Sequence, residues 1–183
     1  LRVLASLSNS STMINVFNND EDIHLEMAKR VFHIDNPTSK QRREAKTVNF
    51  GIVYGISDWG LADQLNTSMY EAKQIVTSFN NEFPEVKSYL NSLIDIAKEK
   101  GYAETIFNRR RYIQELKSDN YSVREFAKRA AMNAPIQGSA ADLIKIAMIK
   151  VRNELIKQNL KSKLVSQIHD ELILKVYEDE KDT

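Results

Sequence analysis

Apolar residues recur every three or four positions along most of this chain, a spacing that predicts amphipathic helices. The clearest example is residues 41–56. There Ala45, Val48, Ile52 and Ile56 fall along one side of a helix that turns by about 100° per residue. The same spacing predicts further helices over residues 1–8, 20–32, 57–84, 85–100, 122–133 and 137–159. The chain is therefore expected to be mainly helical.

Two stretches break this spacing and predict short strands. Residues 102–106 and 111–113 are strand-like on either side of a turn, and residues 164–168 and 172–176 form a second pair. The triplet His169-Asp170-Glu171 lies between the strands of the second pair and predicts a tight hairpin in a largely apolar setting. Helices combined with a few antiparallel strands indicate an α+β fold.

Helix boundaries are marked by recognisable polar residues. Thr38 with Gln41, and Ser68 with Glu71, have the spacing of a capping box at a helix start. Pro135 is expected to interrupt the helix that begins near residue 122, because proline lacks a backbone N–H. Trp59 is interpreted as a core residue in preference to a ligand contact.

The face of the 41–56 helix opposite its apolar side carries the most informative chemistry. Arg42 and Lys46 lie near the helix start, where the dipole is already positive, and such a site favours phosphate. Phe50 and Tyr54 follow on the same face and offer rings on which a base could stack. A phosphate end followed by a base end fits a nucleotide. A solvated basic face beside two core aromatics is the alternative that spacing alone leaves open.

Three further polar groups have a functional and a structural interpretation. The run Arg109-Arg110-Arg111 is either a solvated turn or a contact to nucleic-acid phosphates. Arg129, Asn133 and Gln137 recur every four residues and are either a helix end or contacts to base edges in a minor groove. His24 is either an ordinary half-buried histidine or a ligand contact.

The carboxylates of the predicted hairpin are the strongest candidates for metal ligands. Placing Asp170 and Glu171 between apolar strands is costly unless a cation lies nearby. Mg²⁺ prefers carboxylate and phosphate oxygens, which suits Asp170. An exposed acidic turn is the alternative.

Composition sets outer limits on these interpretations. The 183 residues are 42% hydrophobic and 28% charged, carry a net charge of +1 and include no cysteine, which excludes disulfides and cysteine-based metal sites. No apolar run approaches the roughly 20 residues of a membrane span, so no membrane partner is expected. The first residue is Leu1, so the sequence is expected to begin inside a longer protein. Richness in Asn, Lys and Ile hints at an AT-rich genome.

The residues of the 41–56 helix match a known motif. The pattern Arg42-x-x-x-Lys46-x-x-x-Phe50-Gly51-x-x-Tyr54-Gly55 resembles the fingers helix of family A DNA polymerases, the bacterial DNA polymerase I type. The resemblance implies that Arg42 and Lys46 hold the triphosphate of the incoming nucleotide, with Lys46 also catalytic. It implies that Phe50 and Tyr54 receive the base.

Other motifs of the same family occur in the expected order. Asp-Ile-His ends at His24, which the resemblance places on the triphosphate. The segment from Arg129 to Gly138, with Asn133 and Gln137, is similar to the family's minor-groove contacts, and Arg110 lies in a DNA-binding segment. The following roles are implied for the hairpin: His169 touches the primer strand, Asp170 binds metal, and Glu171 lies beside the metal site as a further catalytic residue.

The resemblance implies a right-hand polymerase that uses two Mg²⁺ ions, primer–template DNA and dNTPs. Residues 1–20 would be a palm fragment, residues 21–118 the fingers, and residues 119–183 more of the palm. The second aspartate ligand is expected upstream of Leu1. A monomer is expected, located in the cytoplasm, the nucleoid or an organelle such as a plastid, the apicoplast included.

A single-subunit RNA polymerase is the first alternative function, although Phe50 and Glu171 favour the DNA enzyme. A DNA-binding fragment without activity is the second.

Overall fold

The computed structural model describes residues 1–182 and contains long helices with two small hairpins. The helices are α1 (Arg2–Leu7), α2 (Ser11–Asn18), α3 (Ile23–Phe32), α4 (Ser39–Val53), α5 (Asp58–Leu65), α6 (Met69–Glu82), α7 (Pro84–Lys100) and α8 (Tyr121–Lys157). The antiparallel strand pairs are β1 (Tyr102–Glu104) with β2 (Arg110–Tyr112), and β3 (Lys163–Ile168) with β4 (Glu171–Lys175). The predicted α+β class is confirmed.

The chain divides into two compact units, Leu1–Gln137 and a second that begins at Gly138. The first unit has a core formed by the apolar sides of α1 to α7. Its most completely buried large side chains are Leu4, Met13, Met27, Val48, Leu61, Phe79, Phe83 and Val86. A smaller cluster packs around Ala97, Ala103, Ile113 and Leu116 below the β1–β2 hairpin. The first of these clusters holds α3 and α4 side by side, which positions the candidate site.

Both predicted capping boxes are present. The Thr38 side chain accepts a hydrogen bond from the Gln41 backbone N–H at 3.3 Å, and the Gln41 side chain accepts one from the Thr38 N–H at 2.8 Å. Ser68 and Glu71 form the same pair of bonds, at 3.2 and 3.0 Å. Each box lies within four residues, so the local sequence is sufficient to specify it.

Residues 57–84 are helical, as predicted, and form two helices, the second of which begins at the predicted capping box of Ser68. Asn66 adopts a left-handed conformation with φ 51° and ends α5, after which Ser68 caps α6. Asparagine tolerates this backbone region better than most residues do. The turn allows α5 and α6 to pack against each other, as one straight helix could not.

Pro135 lies inside α8, so the prediction that it interrupts the helix was wrong. Proline removes one backbone donor and crowds the preceding turn, which usually kinks a helix without always ending it. Burial of Ala131, Pro135 and Ile136 offsets part of that loss. Arg129 and Gln137 therefore belong to one helix.

The β3–β4 hairpin forms where it was predicted, but its apolar side chains are exposed. Val165, Ile168, Ile173 and Val176 retain 57%, 51%, 39% and 51% of their accessible surface. The predicted apolar setting around the hairpin is therefore not observed among the described residues. Across residues 1–182, the helices lack the combination of length and apolar character that crossing a membrane requires.

Candidate active site

The exposed face of α4 presents the predicted cations and rings in order. Arg42, Lys46, Phe50 and Tyr54 follow one another at intervals of four residues, and all four side chains are exposed. The Phe50 and Tyr54 rings are stacked, with centroids 6.4 Å apart and planes 22° apart. The Lys46 Nζ lies 6.0 Å from the Phe50 centroid. The alternative of two core aromatics is therefore not what the structure shows.

The start of α3 brings His24 to this face. Asp22 is the N-cap of α3 and accepts hydrogen bonds from the backbone N–H groups of His24 and Leu25, at 2.9 and 3.1 Å. This cap fixes the first turn of α3, so that the His24 ring lies 5.9 Å from the Phe50 ring. The histidine is thus held beside the aromatic part of α4.

Arg42 is held by the same aspartate. Its Nε and Nη2 atoms lie 2.7 and 2.6 Å from Asp22 Oδ2. Burial would raise the pKa of Asp22, but the hydrogen bonds from Arg42, Leu25 and His24 outweigh burial and lower it. A guanidinium that binds a carboxylate in this way can also bind a phosphate, so Asp22 occupies donors that a phosphate would need.

The surroundings of His24 favour its uncharged form and lower its pKa. Its pKa lies below 6.5 because burial disfavours the charged ring and because Arg42 and Lys46 repel it, although Asp22 acts in the opposite direction. Its Nδ1 atom lies 3.1 Å from the side-chain amide of Asn49, a buried residue of α4. A neutral imidazole has one donor and one acceptor, so each of its nitrogens has a distinct role.

The end of α4 is joined to α8 within the first unit. The Gln137 side-chain amide donates a 2.6 Å hydrogen bond to the Tyr54 hydroxyl. Gly55 has φ +70°, and a Cβ there would overlap Met132 Cε and lie 2.8 Å from Arg129 Cγ. Glycine is therefore required both by the backbone and by the close approach of α8. Of the three predicted minor-groove residues, Gln137 contacts the ring-bearing end of α4 and Arg129 packs beside it.

A cavity of about 670 Å³ opens beside these rings. Its lining includes Lys46, Phe50, Tyr54, Arg129 and Trp59. Trp59 is 67% exposed, so its interpretation as a core residue was wrong. Helix geometry already contained the signal, since Trp59 lies about 200° around α5 from the buried Leu61.

Arg110 and Asn133, two further residues predicted to contact DNA, have different surroundings. The Arg110 Nε lies 2.9 Å from Glu104 Oε2, and its Cζ lies 4.6 Å from the Tyr102 ring centroid. Glu104 therefore balances part of the Arg110 charge within the β1–β2 hairpin. Asn133 has a buried Oδ1 that lacks a hydrogen-bond partner among the described residues. Asn108 forms the β1–β2 turn with φ 62°, a conformation that asparagine tolerates.

The β3–β4 hairpin places its carboxylates at its tip. His169, with φ 54°, and Asp170 form the turn between the paired residues Ile168 and Glu171. The Gln167 side chain donates a 2.8 Å hydrogen bond to the His169 carbonyl oxygen and fixes the turn. Asp170 and Glu171 are exposed, and neither forms an ion pair or side-chain hydrogen bond with another described residue.

The donor set of the hairpin fits a hard cation in part. Free carboxylate oxygens are the ligands that Mg²⁺ prefers, and it commonly takes only one or two of them from the protein. Among residues 1–182, no three acidic or histidine side chains converge as a complete metal site. Asp170 can therefore supply one ligand of a site that needs others.

Comparison with known proteins identifies the family. The model of "DNA polymerase family A" matches residues 1–183, the whole chain. The chain belongs to DNA polymerase family A. The resemblance stated from the motifs is thereby confirmed.

The similar proteins are bacterial enzymes of this family. The chain is 50% identical over 182 residues to DNA polymerase I of Bacillus subtilis, covering 98% of the chain and 21% of that protein. It is 47% identical over 184 residues to DNA polymerase I of Caldicellulosiruptor bescii, covering 100% and 22%. The chain thus spans about a fifth of the length of the curated relatives it matches.

A solved family A structure has the same fold. The POL domain of Pol1 from M. smegmatis, in complex with DNA primer-template and dNTP, superposes with a TM-score of 0.95 at 45% identity. The match covers 99% of this chain and 32% of that one. The helices and hairpins described above are therefore those of a family A polymerase domain. The individual roles of the site residues stay predictions.

Proposed function

We propose that this chain forms the fingers and part of the palm of a DNA-directed DNA polymerase. The proposed division is residues 21–118 for the fingers and residues 1–20 and 119–183 for the palm. The observation that carries the proposal is the face of α4, where exposed cations are followed by two stacked rings beside His24. Family membership over the whole chain supports it.

The proposed reaction joins a dNTP to a primer. The primer 3′-oxygen forms a bond to the α-phosphorus, the bond from that phosphorus to the bridging oxygen breaks, and pyrophosphate leaves. Mg²⁺ would lower the pKa of the 3′-hydroxyl and neutralise charge on the attacking and leaving oxygens. Asp170 would hold it, with Glu171 beside it. A second aspartate, which the family motif predicts, is proposed as the other protein ligand of Mg²⁺.

The residues of α3 and α4 would bind the triphosphate. Lys46 carries an exposed ammonium group that can neutralise the leaving pyrophosphate, which is the catalytic role proposed for it. Arg42 would exchange the Asp22 carboxylate for a phosphate. His24, being neutral, would donate a single hydrogen bond without adding charge.

The aromatic end would receive the base pair. Phe50 and Tyr54 offer stacked rings at the mouth of the cavity, and base–aromatic stacking contributes about 1–3 kcal/mol. The hydrogen bond from Gln137 fixes the Tyr54 hydroxyl. Arg110, Arg129, Asn133 and His169 are proposed as contacts to the primer–template DNA.

Primer extension by the full-length protein tests the proposal. In Mg²⁺, dNTPs should be incorporated according to the template, and Asp170→Asn should reduce the rate by at least about 100-fold, as expected for loss of a metal ligand. Glu178→Gln is the matched control, since Glu178 is an exposed carboxylate of the same unit, and it should extend primers normally. Preferential use of rNTPs would identify an RNA polymerase instead. Duplex binding without extension would identify a DNA-binding protein.

A further inference from the structure

Asn49 is a buried polar residue to which none of the family motifs above assigns a role. It precedes Phe50 on α4, retains only 1% of its accessible surface and faces α3. Its Nδ2 atom lies 3.1 Å from His24 Nδ1, and its Oδ1 is buried without a hydrogen-bond partner among the described residues. Burying an amide in this way is unfavourable, so the side chain is poorly explained as packing alone.

The contact constrains the histidine. In the orientation that the structure gives Asn49, its amide nitrogen faces Nδ1. Because this nitrogen only donates, Nδ1 accepts, and in a neutral ring the single proton then lies on Nε2. The charged side chains that act on His24 are those of Asp22, Arg42 and Lys46. The two cations disfavour a second proton on the ring, and burial does the same, whereas Asp22 acts in the opposite direction.

The position of that proton decides what the ring offers to a ligand. With the proton on Nε2, the nitrogen that is not engaged by Asn49 is a donor and can bind a phosphate oxygen. With the proton on Nδ1, the same nitrogen is an acceptor and repels phosphate. A neutral histidine thus needs a neighbour that selects its tautomer.

We propose that Asn49 is a positioning residue that holds His24 in its Nε2-protonated neutral tautomer, so that the ring donates to the triphosphate of the incoming nucleotide. The identity of the ligand rests on the function proposed above. The tautomer itself does not, and it can be measured without nucleotide.

Nitrogen NMR of the imidazole rings tests the tautomer directly. The chain has three histidines, and His24→Gln assigns the signal. Long-range ¹H–¹⁵N spectra at neutral pH should show an unprotonated Nδ1 and a protonated Nε2. A proton on Nδ1 in the unmodified chain would overturn the proposal, and this result needs no variant to fold.

Variants separate selection of the tautomer from packing. Asn49→Leu removes the donor at similar volume, and the two His24 nitrogens should then approach averaged shifts. Asn49→Asp replaces the donor by an acceptor and should move the proton to Nδ1. Val48→Ala perturbs the neighbouring core position and should leave the His24 shifts unchanged. Unchanged shifts in both Asn49 variants would also overturn the proposal.

Kinetics connects the tautomer to the nucleotide. In primer extension by the full-length protein, Asn49→Leu should raise the KM for dNTP by roughly tenfold, the effect of losing one hydrogen bond to a charged group. The increase should be absent when His24→Gln is already in place. An unmodified protein that uses no dNTP would refute the proposed function and leave the tautomer result standing. Normal dNTP use with an unchanged KM in Asn49→Leu would refute the positioning role.

Discussion

Arg42 and Asp22 show how a single pair of residues balances the charge at the start of α4. A cation near a helix N-terminus is destabilising by a few tenths of a kcal/mol unless an anion lies nearby. Here Asp22 is that anion, at 2.6 Å from Nη2, and it comes from the cap of a different helix. The charge of Arg42 is therefore balanced without phosphate, and a phosphate that binds Arg42 must displace the aspartate.

Asp22→Asn should release Arg42 and lower the KM for dNTP a few-fold. Asparagine caps a helix as well as aspartate does, so α3 should remain intact. The lost ion pair is largely exposed and should change the free energy of unfolding by less than about 1 kcal/mol. Steady-state primer extension measures the effect, with Asp20→Asn as the exposed control. A raised KM would mean that Asp22 positions Arg42 and does not compete with phosphate.

His24 should make stability depend on pH between neutrality and mild acid. Its pKa in the folded chain lies below the ordinary value of 6.5, so the unfolded chain takes up its proton first. The stability it contributes is complete above 6.5 and is lost as the pH falls toward the folded value. Chemical unfolding at several pH values measures the free energy of unfolding of the unmodified chain and of His24→Gln. As the pH falls, the free energy of unfolding of the unmodified chain should decrease relative to that of the variant. A pH-independent difference would contradict this.

The helices were predicted most successfully where their ends are specified locally. Ser68 and Glu71 cap α6 through bonds within four residues, and Gly101 ends α7 with φ +79°. The Glu71 carboxylate also accepts hydrogen bonds from the Thr67 and Ser68 hydroxyl groups, and with the Ser68 N–H these lower its pKa to about 2. By contrast, the path through Pro135 depends on burial of surrounding residues, which sequence spacing does not reveal.

Ser68→Ala should destabilise the chain by about 1 kcal/mol, because it removes the N-cap of α6. Urea-induced unfolding followed by circular dichroism measures the change. Ser88→Ala is the matched control, since Ser88 is an exposed serine in the interior of α7 and should cause no loss of stability. Equal stability of the two variants would show that the capping box contributes nothing measurable.

Over the whole molecule, the proposed nucleotide and DNA surfaces use different cations. The net charge of +1 is small, so binding to nucleic acid depends on where the cations lie. Lys46 lies on α4 beside the rings, whereas Arg110 and Arg111 lie on the β1–β2 hairpin. The two groups should therefore have separable effects.

Arg110→Ala and Arg111→Ala should weaken duplex binding, and Lys46→Ala should mainly raise the KM for dNTP. Each phosphate contact contributes about 0.9 to the salt slope of duplex binding. Arg111→Ala should lower the slope by close to that amount, because Arg111 is exposed and has no ion pair with a described residue. Arg110→Ala should lower it by less, because Arg110 shares its charge with Glu104. Fluorescence anisotropy at several salt concentrations measures the slope. If Lys46→Ala changed the slope and the arginine variants did not, the nucleotide and DNA roles assigned to the two surfaces would have to be exchanged.

The sequence was sufficient for the fold class, the family, both capping boxes and the two hairpin turns. These features depend on period, on motif spacing or on hydrogen bonds between residues close along the chain. The structure was needed for the pairing of Asp22 with Arg42, the contact of Asn49 with His24, and the hydrogen bond from Gln137 to Tyr54. These pairs are separated by 20, 25 and 83 residues, and their meeting depends on how helices pack. Local pattern specifies the helices, the hairpins and their caps, whereas packing determines which side chains, such as Trp59, are exposed and which of them share a partner.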